Sequence, residues 1–398
     1  MYLRFPEPDR AFSCLVTAVL PSSMSQHTRP EEKISSTLAE RIAAGDFPSA
    51  VYLIGERGAV VFAAALGDAV VEPQRIVATP DTIYDLASLT KPLITGLLCA
   101  RRVEAGELKL EARVSHYLPE FNRTDKRDMT VGQLLAHTSG LPAWRPLYIL
   151  AAGERERAIS AIANLDLEYQ PGTRVVYSDL GFIVLGRLLE RMRAEGLVEL
   201  AQTEIFRPLD LQHTCFNPEA AMQTKIAASE NGNAYERETS GTTSESDYKG
   251  WREALIWGQV HDGNAHFLGG AAGHAGLFSN AQETLALANQ FVATQTNLLT
   301  PATCELFRQN MTSGLNEARS FAWQLAETKD SAAGLDLPRD SFGHSGFTGT
   351  SCWIDPDHER VFILLTNRTH AHALPFANIN GVRRRFHSLA VAALADSQ

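Results

Sequence analysis

The chain has 398 residues, 44% of them hydrophobic and 21% charged. That composition excludes a disordered, collagen-like or coiled-coil architecture, and the length suits one large or two coupled globular units. The formal charge is −10 and the longest basic run is Arg383-Arg384-Arg385, so the chain does not look built for nucleic acid. No uninterrupted apolar stretch of about 18 residues offers an integral membrane segment.

Residues 1–30 read as a leader. Their short apolar stretch, 11–20, follows Glu7 and Asp9 rather than the basic segment a signal peptide needs, which points to a cytoplasmic location, with export as the alternative. Two β-like runs, 50–54 and 60–65, are joined by a Glu56-Arg57-Gly58 link of hairpin length. Apolar residues at helical spacing follow, through Leu89, Leu93, Ile94, Leu97 and Leu98. Residues 131–137 form a short helix that Ser139-Gly140 can stop, and a second apolar helical pattern runs from Leu180 to Met192.

Residues 229–250, rich in Ser, Thr, Glu and Gly, read as a long polar surface loop. Near the end, 342–353 and 360–366 are strand-like; the unbroken apolar run 361–365 fits a strand buried on both faces. A helical pattern closes the chain from about 376 to 395, and places the three arginines on a solvated face. Strands at both ends with helices between predict an α+β fold. An antiparallel sheet is flanked by terminal helices (31–90 with 310–398) and joined by a mainly helical lobe (91–309), with a cleft between.

Three short motifs carry chemistry. Ser88-Leu89-Thr90-Lys91 puts a lysine three residues after a serine, on one helix face. A serine hydroxyl needs a neighbour to take its proton, and a lysine can do so where its pKa is lowered, as its apolar sequence neighbours suggest. Pro92 would clash with the carbonyl of Ser88 inside a helix, so the helix must begin near Ser88, with its N–H groups at the positive end. Tyr177-Ser178-Asp179 opens the second apolar helix; a tyrosine beside an ammonium loses its proton more easily and can act as base or acid. Gly343-His344-Ser345-Gly346-Phe347 is a glycine-bearing strand whose edge can offer backbone N–H groups to an oxyanion, with His344 projecting into the cleft to carry charge. Ser246-Asp247-Tyr248-Lys249 and Ser229-Glu230-Asn231 repeat two of these patterns by chance, in the polar loop.

Together the three motifs resemble those of the serine β-lactamase and penicillin-binding-protein superfamily. The likeness is to its class C branch, with the D-alanyl-D-alanine carboxypeptidases and related esterases. It extends to the segments 134–142, 270–279 and 321–323, and covers roughly 48–395. The resemblance implies a serine hydrolase working through an acyl-enzyme on small esters, D-amino-acid peptides or, weakly, β-lactams. Ser88 would be the nucleophile, Lys91 its proton acceptor and Tyr177 the partner that protonates the leaving group. Asp179, His344, Ser345, Gly346 and Phe347 would meet the substrate, with the N–H groups of Ser88 and Phe347 as the oxyanion hole. Asp179 departs from the family's asparagine, adds negative charge near Lys91 and would raise its pKa. His344 stands where class C β-lactamases carry lysine, which disfavours efficient β-lactam hydrolysis. A binding protein that keeps the scaffold without hydrolysis is the alternative.

Other signals are declined. Five widely spaced cysteines suggest neither disulfides nor a zinc site. His261, Asp262, His266 and His274 lack metal-site spacing, and 269–273 is not a dinucleotide fingerprint, so no metal or cofactor is expected. His137 is read as making a structural hydrogen bond. The expected partner is a small-molecule substrate, and nothing in the sequence fixes an oligomeric state.

Overall fold

The computed structural model describes residues 30–122, 125–241 and 248–396. The leader lies almost wholly outside them, as do Ser246 and Asp247 of the second Ser-x-x-Lys. Four helices matter to the argument: α1 (Pro30–Ala43), α2 (Leu97–Glu104), α3 (Asp179–Arg193) and α4 (Asn380–Asp396). Among the described residues no helix is long and apolar enough to cross a membrane.

The first hairpin pairs β1 (Ser49–Glu56) with β2 (Ala59–Val70). Arg57 and Gly58 in its turn have φ of 51° and 78°. Two positive φ values make the mirror-image turn whose twist matches paired strands. There follow β3 (Ile76–Val77), β4 (Tyr84–Asp85), β5 (Cys215–Phe216), β6 (Leu277–Ser279), β7 (Gln324–Leu325), β8 (Phe342–Ser345), β9 (Ser351–Asp355) and β10 (Arg360–Thr366). Seven form one antiparallel sheet in the order β3-β2-β1-β10-β9-β8-β7, which joins the two ends of the chain at β1 and β10. A small sheet, β4-β6-β5, stands beside it.

β10 is buried on both faces, as its apolar run predicts. Phe362 and Leu364 share a core with Ile34 and Leu38 of α1 and Phe386 and Ala390 of α4. Val361, Ile363 and Leu365 face the other way, into the core that holds Leu93, Leu97 and the apolar side of α3. Each such side chain contributes about 1.5–3 kcal/mol on burial. The fold class is therefore the predicted α+β arrangement.

Three expectations need correction. Residues 242–247 of the 229–250 segment lie outside the described residues, and its first part is not a surface loop: a short helix, Ala234–Thr239, lies within it, and Ser229, Glu230, Asn233 and Glu236 are buried. Their polarity is satisfied inside, with Glu230 on His261 at 2.8 Å and Asn233 accepting from Arg252 at 3.0 Å. The basic run is not wholly solvated either, because Arg383 is buried beneath the β8–β9 turn. The stop after Val131–Leu135 falls at His137, φ 57°, before Gly140 is reached.

Candidate active site

Ser88 lies in a single 3-10 turn, Ala87–Leu89, directly after β4. The Leu86 N–H donates to the Leu277 carbonyl of β6 at 2.8 Å and ties the turn to the small sheet. Ala87 is held at φ 47°, a left-handed conformation that costs a non-glycine residue about 1–2 kcal/mol. Buried Asp85 offsets that strain: one oxygen accepts from the Ala87 N–H at 2.8 Å, the other from the His261 N–H at 2.7 Å. Pro92 cannot donate into the turn, and the chain widens into a π turn over Lys91–Gly96 before α2 begins.

The side chain of Lys91 is fully buried. Its Nζ donates to Ser88 Oγ at 2.9 Å and to the His274 carbonyl at 3.1 Å, and lies 2.6 Å from Asp179 Oδ1. Ser178 caps α3 by accepting from the Gly181 N–H at 3.2 Å, which leaves Asp179 free to face the lysine. Burial pulls the Lys91 pKa down, but the Asp179 carboxylate and Tyr177 outweigh it and hold the pKa above its ordinary value. This corrects the expected lowering. The sequence neighbours of Lys91 are apolar, whereas the fold brings it a carboxylate, as the departure at Asp179 foreshadows.

Tyr177 packs beside Lys91, its ring 4.8 Å from Lys91 Nζ. Its pKa is raised, because burial disfavours the phenolate more than Lys91 favours it. The ligand-free site thus holds a charged Lys91 and a neutral Tyr177, not a tyrosine readied as a base. His137 grips Tyr177 from both sides in sequence: its carbonyl accepts from Val176 N–H at 3.0 Å and its Nδ1 accepts from Ser178 N–H at 3.0 Å. The two rings are 4.7 Å apart. The structural hydrogen bond expected of His137 is therefore present, and it positions Tyr177.

β8 brings the third motif to the same place. A Cβ on Gly346 would lie 2.6 Å from the Leu86 carbonyl, so only glycine lets this strand end reach the Ser88 turn. Thr348 and Thr350 hold the approach by donating to the carbonyls of Asp85 and Leu86 at 2.7 and 3.0 Å. Behind the turn, Arg383 donates to the carbonyls of Gly346 and Thr350 at 2.9 Å, and Arg368 to that of Phe347 at 2.6 Å. No described residue accepts from the Phe347 N–H. Ser345 continues β8, and its carbonyl lies 3.0 Å from His344 Nδ1.

His344 does not project into the cleft. It is buried, and burial together with Arg319 and Lys91 keeps its pKa well below the ordinary value. A neutral, enclosed imidazole cannot offer charge to a substrate carboxylate.

Ser88, Ala87, Asp179 and Phe347 border a cavity of about 180 Å³. Most of its remaining wall was not legible as part of the site: Trp144, Tyr235, Glu236, Thr239, His261 and Asp262. Asp262 lies 2.8 Å from His274 Nε2 and also caps the helix Gly263–Phe267. Burial pushes the Asp262 carboxyl up, but His274 and the Ala265 N–H outweigh it and hold it below its usual range. Burial and the charge of Asp262 push the Glu236 carboxyl up to about 7. The clustering of His261, Asp262 and His274 in sequence was the one available signal, and no described group of three such side chains could hold a metal ion.

A family model described as Beta-lactamase matches residues 34–382. A protein of Escherichia coli strain K12 named as a D-alanyl-D-alanine carboxypeptidase is 31% identical over 356 residues, covering 82% of this chain and 79% of its own. An N-acetylmuramyl-L-alanine amidase of Bacillus subtilis strain 168 is 30% identical over 367 residues, covering 86% and 82%. Among solved structures, EstCE1, described as a hydrolase with promiscuous acyltransferase activity, superposes with a TM-score of 0.69. It is 25% identical and covers 92% of this chain and 98% of its own.

Proposed function

Because the chain belongs to the Beta-lactamase family of serine hydrolases, we propose that it hydrolyses small esters and amides, D-amino-acid peptides among them, through an acyl-enzyme on Ser88. The observation that carries this is the 2.9 Å contact from Lys91 Nζ to Ser88 Oγ, beside a cavity that Ser88 itself borders. The names of the relatives, a carboxypeptidase, an amidase and a promiscuous hydrolase, support the same substrate range.

Lys91 is charged at rest, so a proton must leave it before it can act as a base. It passes to solvent as the pH rises, against the pull of Asp179 Oδ1 2.6 Å away. The neutral amine then takes the Ser88 proton as Oγ attacks the substrate carbonyl. The N–H groups of Ser88 and Phe347 steady the oxyanion. Tyr177 gives its proton to the leaving group and recovers one from Lys91, so the serine proton is carried to the departing atom. Water then enters by the reverse route, Lys91 accepting its proton as the acyl–oxygen bond breaks and Ser88 regains its own. The neutral His344 supports a poor grip on the carboxylate of β-lactams.

Mixing with p-nitrophenyl acetate tests this. A burst of p-nitrophenolate and an acetyl mass increment on the Ser88 peptide are expected, both absent in Ser88→Ala. Equal release from the two proteins overturns the reading in favour of a non-hydrolytic scaffold.

A further inference from the structure

The cavity beside Ser88 has walls that the proton transfers do not use. Trp144, Tyr235 and Phe347 give it aromatic faces, with the rings of Tyr235 and Phe347 4.6 Å apart. Asp179, Glu236 and Asp262 give it carboxylates. Each carboxylate already has a protein partner. Asp179 is paired with Lys91 and Asp262 with His274. Glu236 accepts from the Tyr148 hydroxyl at 3.1 Å and the Gly263 N–H at 2.5 Å. No carboxylate is therefore free of a protein contact, although the donors to Glu236 are neutral and leave its charge unmatched. A carboxylate nevertheless offers about four acceptor positions, more than these partners fill.

Positive side chains are missing from the lining. No lysine or arginine lines the cavity among the described residues, so a substrate carboxylate placed there would be desolvated without a partner. Flat apolar faces combined with spare acceptors suit a ring that has apolar faces and O–H or N–H edges. Tyr177 does not border the cavity. As it is the group that would protonate the leaving group, the leaving group lies on its side and the cavity takes the other half of the substrate.

We propose that the cavity is the acyl-side subsite and that it binds a neutral, hydroxyl-rich ring of the monosaccharide type. The ring stacks on the aromatic wall and donates its hydroxyls to Asp262 and Glu236. This rests on the hydrolase reading above and gives it a substrate class.

Four p-nitrophenyl esters with one leaving group test it on the intact protein: glucosyloxyacetyl, cyclohexyloxyacetyl, succinyl and 4-aminobutanoyl. The glucosyl ester is expected to exceed the cyclohexyl ester in kcat/KM by about tenfold or more, as hydrogen bonds to charged acceptors allow. It should exceed the succinyl and aminobutanoyl esters by at least as much. Parity of the two rings, or a preference for the aminobutanoyl ester, overturns the subsite. Calorimetry with Ser88→Ala and the amides glucosyloxyacetamide and cyclohexyloxyacetamide separates this proposal from the hydrolase reading. Saturable binding of the glucosyl amide alone, without ester turnover by the native protein, keeps the subsite and removes the hydrolase. Failure of both amides to bind removes the subsite whatever the ester rates.

Discussion

Residue 179 sets the working pH of the site. A carboxylate 2.6 Å from Lys91 keeps the lysine charged in surroundings that would otherwise strip its proton. Asp179→Asn removes that charge, so the Lys91 pKa falls and its neutral form appears at lower pH. The rising limb of the kcat/KM profile for p-nitrophenyl acetate is expected to move toward acid by about one pH unit or more. An unmoved limb would show that Lys91 does not govern it. The Ser88–Lys91 contact was legible because its spacing is local, whereas Tyr177 was legible only through the resemblance of its motif. The direction of the Lys91 shift was foreshadowed by Asp179, but the 2.6 Å contact was not, because it is delivered by another helix. Such a contact has no periodicity to read.

At the scale of elements, the turn between β8 and β9 is held from behind. Arg383 and Arg368 take the carbonyls of Gly346, Phe347 and Thr350, which fixes the direction of the N–H groups on the same peptides. Arg383 approaches no carboxylate among its hydrogen-bond partners, which are Asn380 and two main-chain carbonyls. Arg383→Met is therefore expected to lower kcat for p-nitrophenyl acetate by about tenfold or more, with KM changed by less than about threefold. Losing an oxyanion donor outright costs about a hundredfold or more in comparable sites. Steady-state kinetics, with the thermal midpoint measured alongside, decides it; a proportional rise in KM with unchanged kcat would refute the role. α4 was legible from its apolar spacing, starting four residues later than the pattern suggested. The inward turn of one arginine in a run of three was not, because burial of a cation needs acceptors that only the folded turn supplies.

Across the whole molecule, the sheet that joins both ends of the chain was legible because β1 and β10 carry apolar runs buried on two faces. The segment 229–241 was misread because polarity was taken for exposure. Glu230, Asn233 and Glu236 are instead inside, each answered by a residue distant in sequence. Glu236 gives this a thermodynamic signature. Burial and Asp262 raise its carboxyl in the folded state to about 7, while the unfolded chain keeps the ordinary carboxylate value. Between those two values the folded protein binds more protons than the unfolded one, so this group makes stability fall as pH rises through the window. Glu236→Gln is expected to flatten that fall. Urea midpoints at pH 5 and pH 8, native against variant, measure it; an identical pH slope in both would be the contrary result.

The wall formed by Ala234–Thr239 belongs to none of the elements that carry Ser88, Lys91 or Tyr177. Part of the cavity wall and the Ser88–Lys91–Tyr177 cluster are thus written on separate stretches of chain. Descendants can rewrite the first passage while leaving the second untouched. A scaffold of this kind can change diet without relearning its chemistry, which is one physical route to relatives that share a fold and differ in what they cleave.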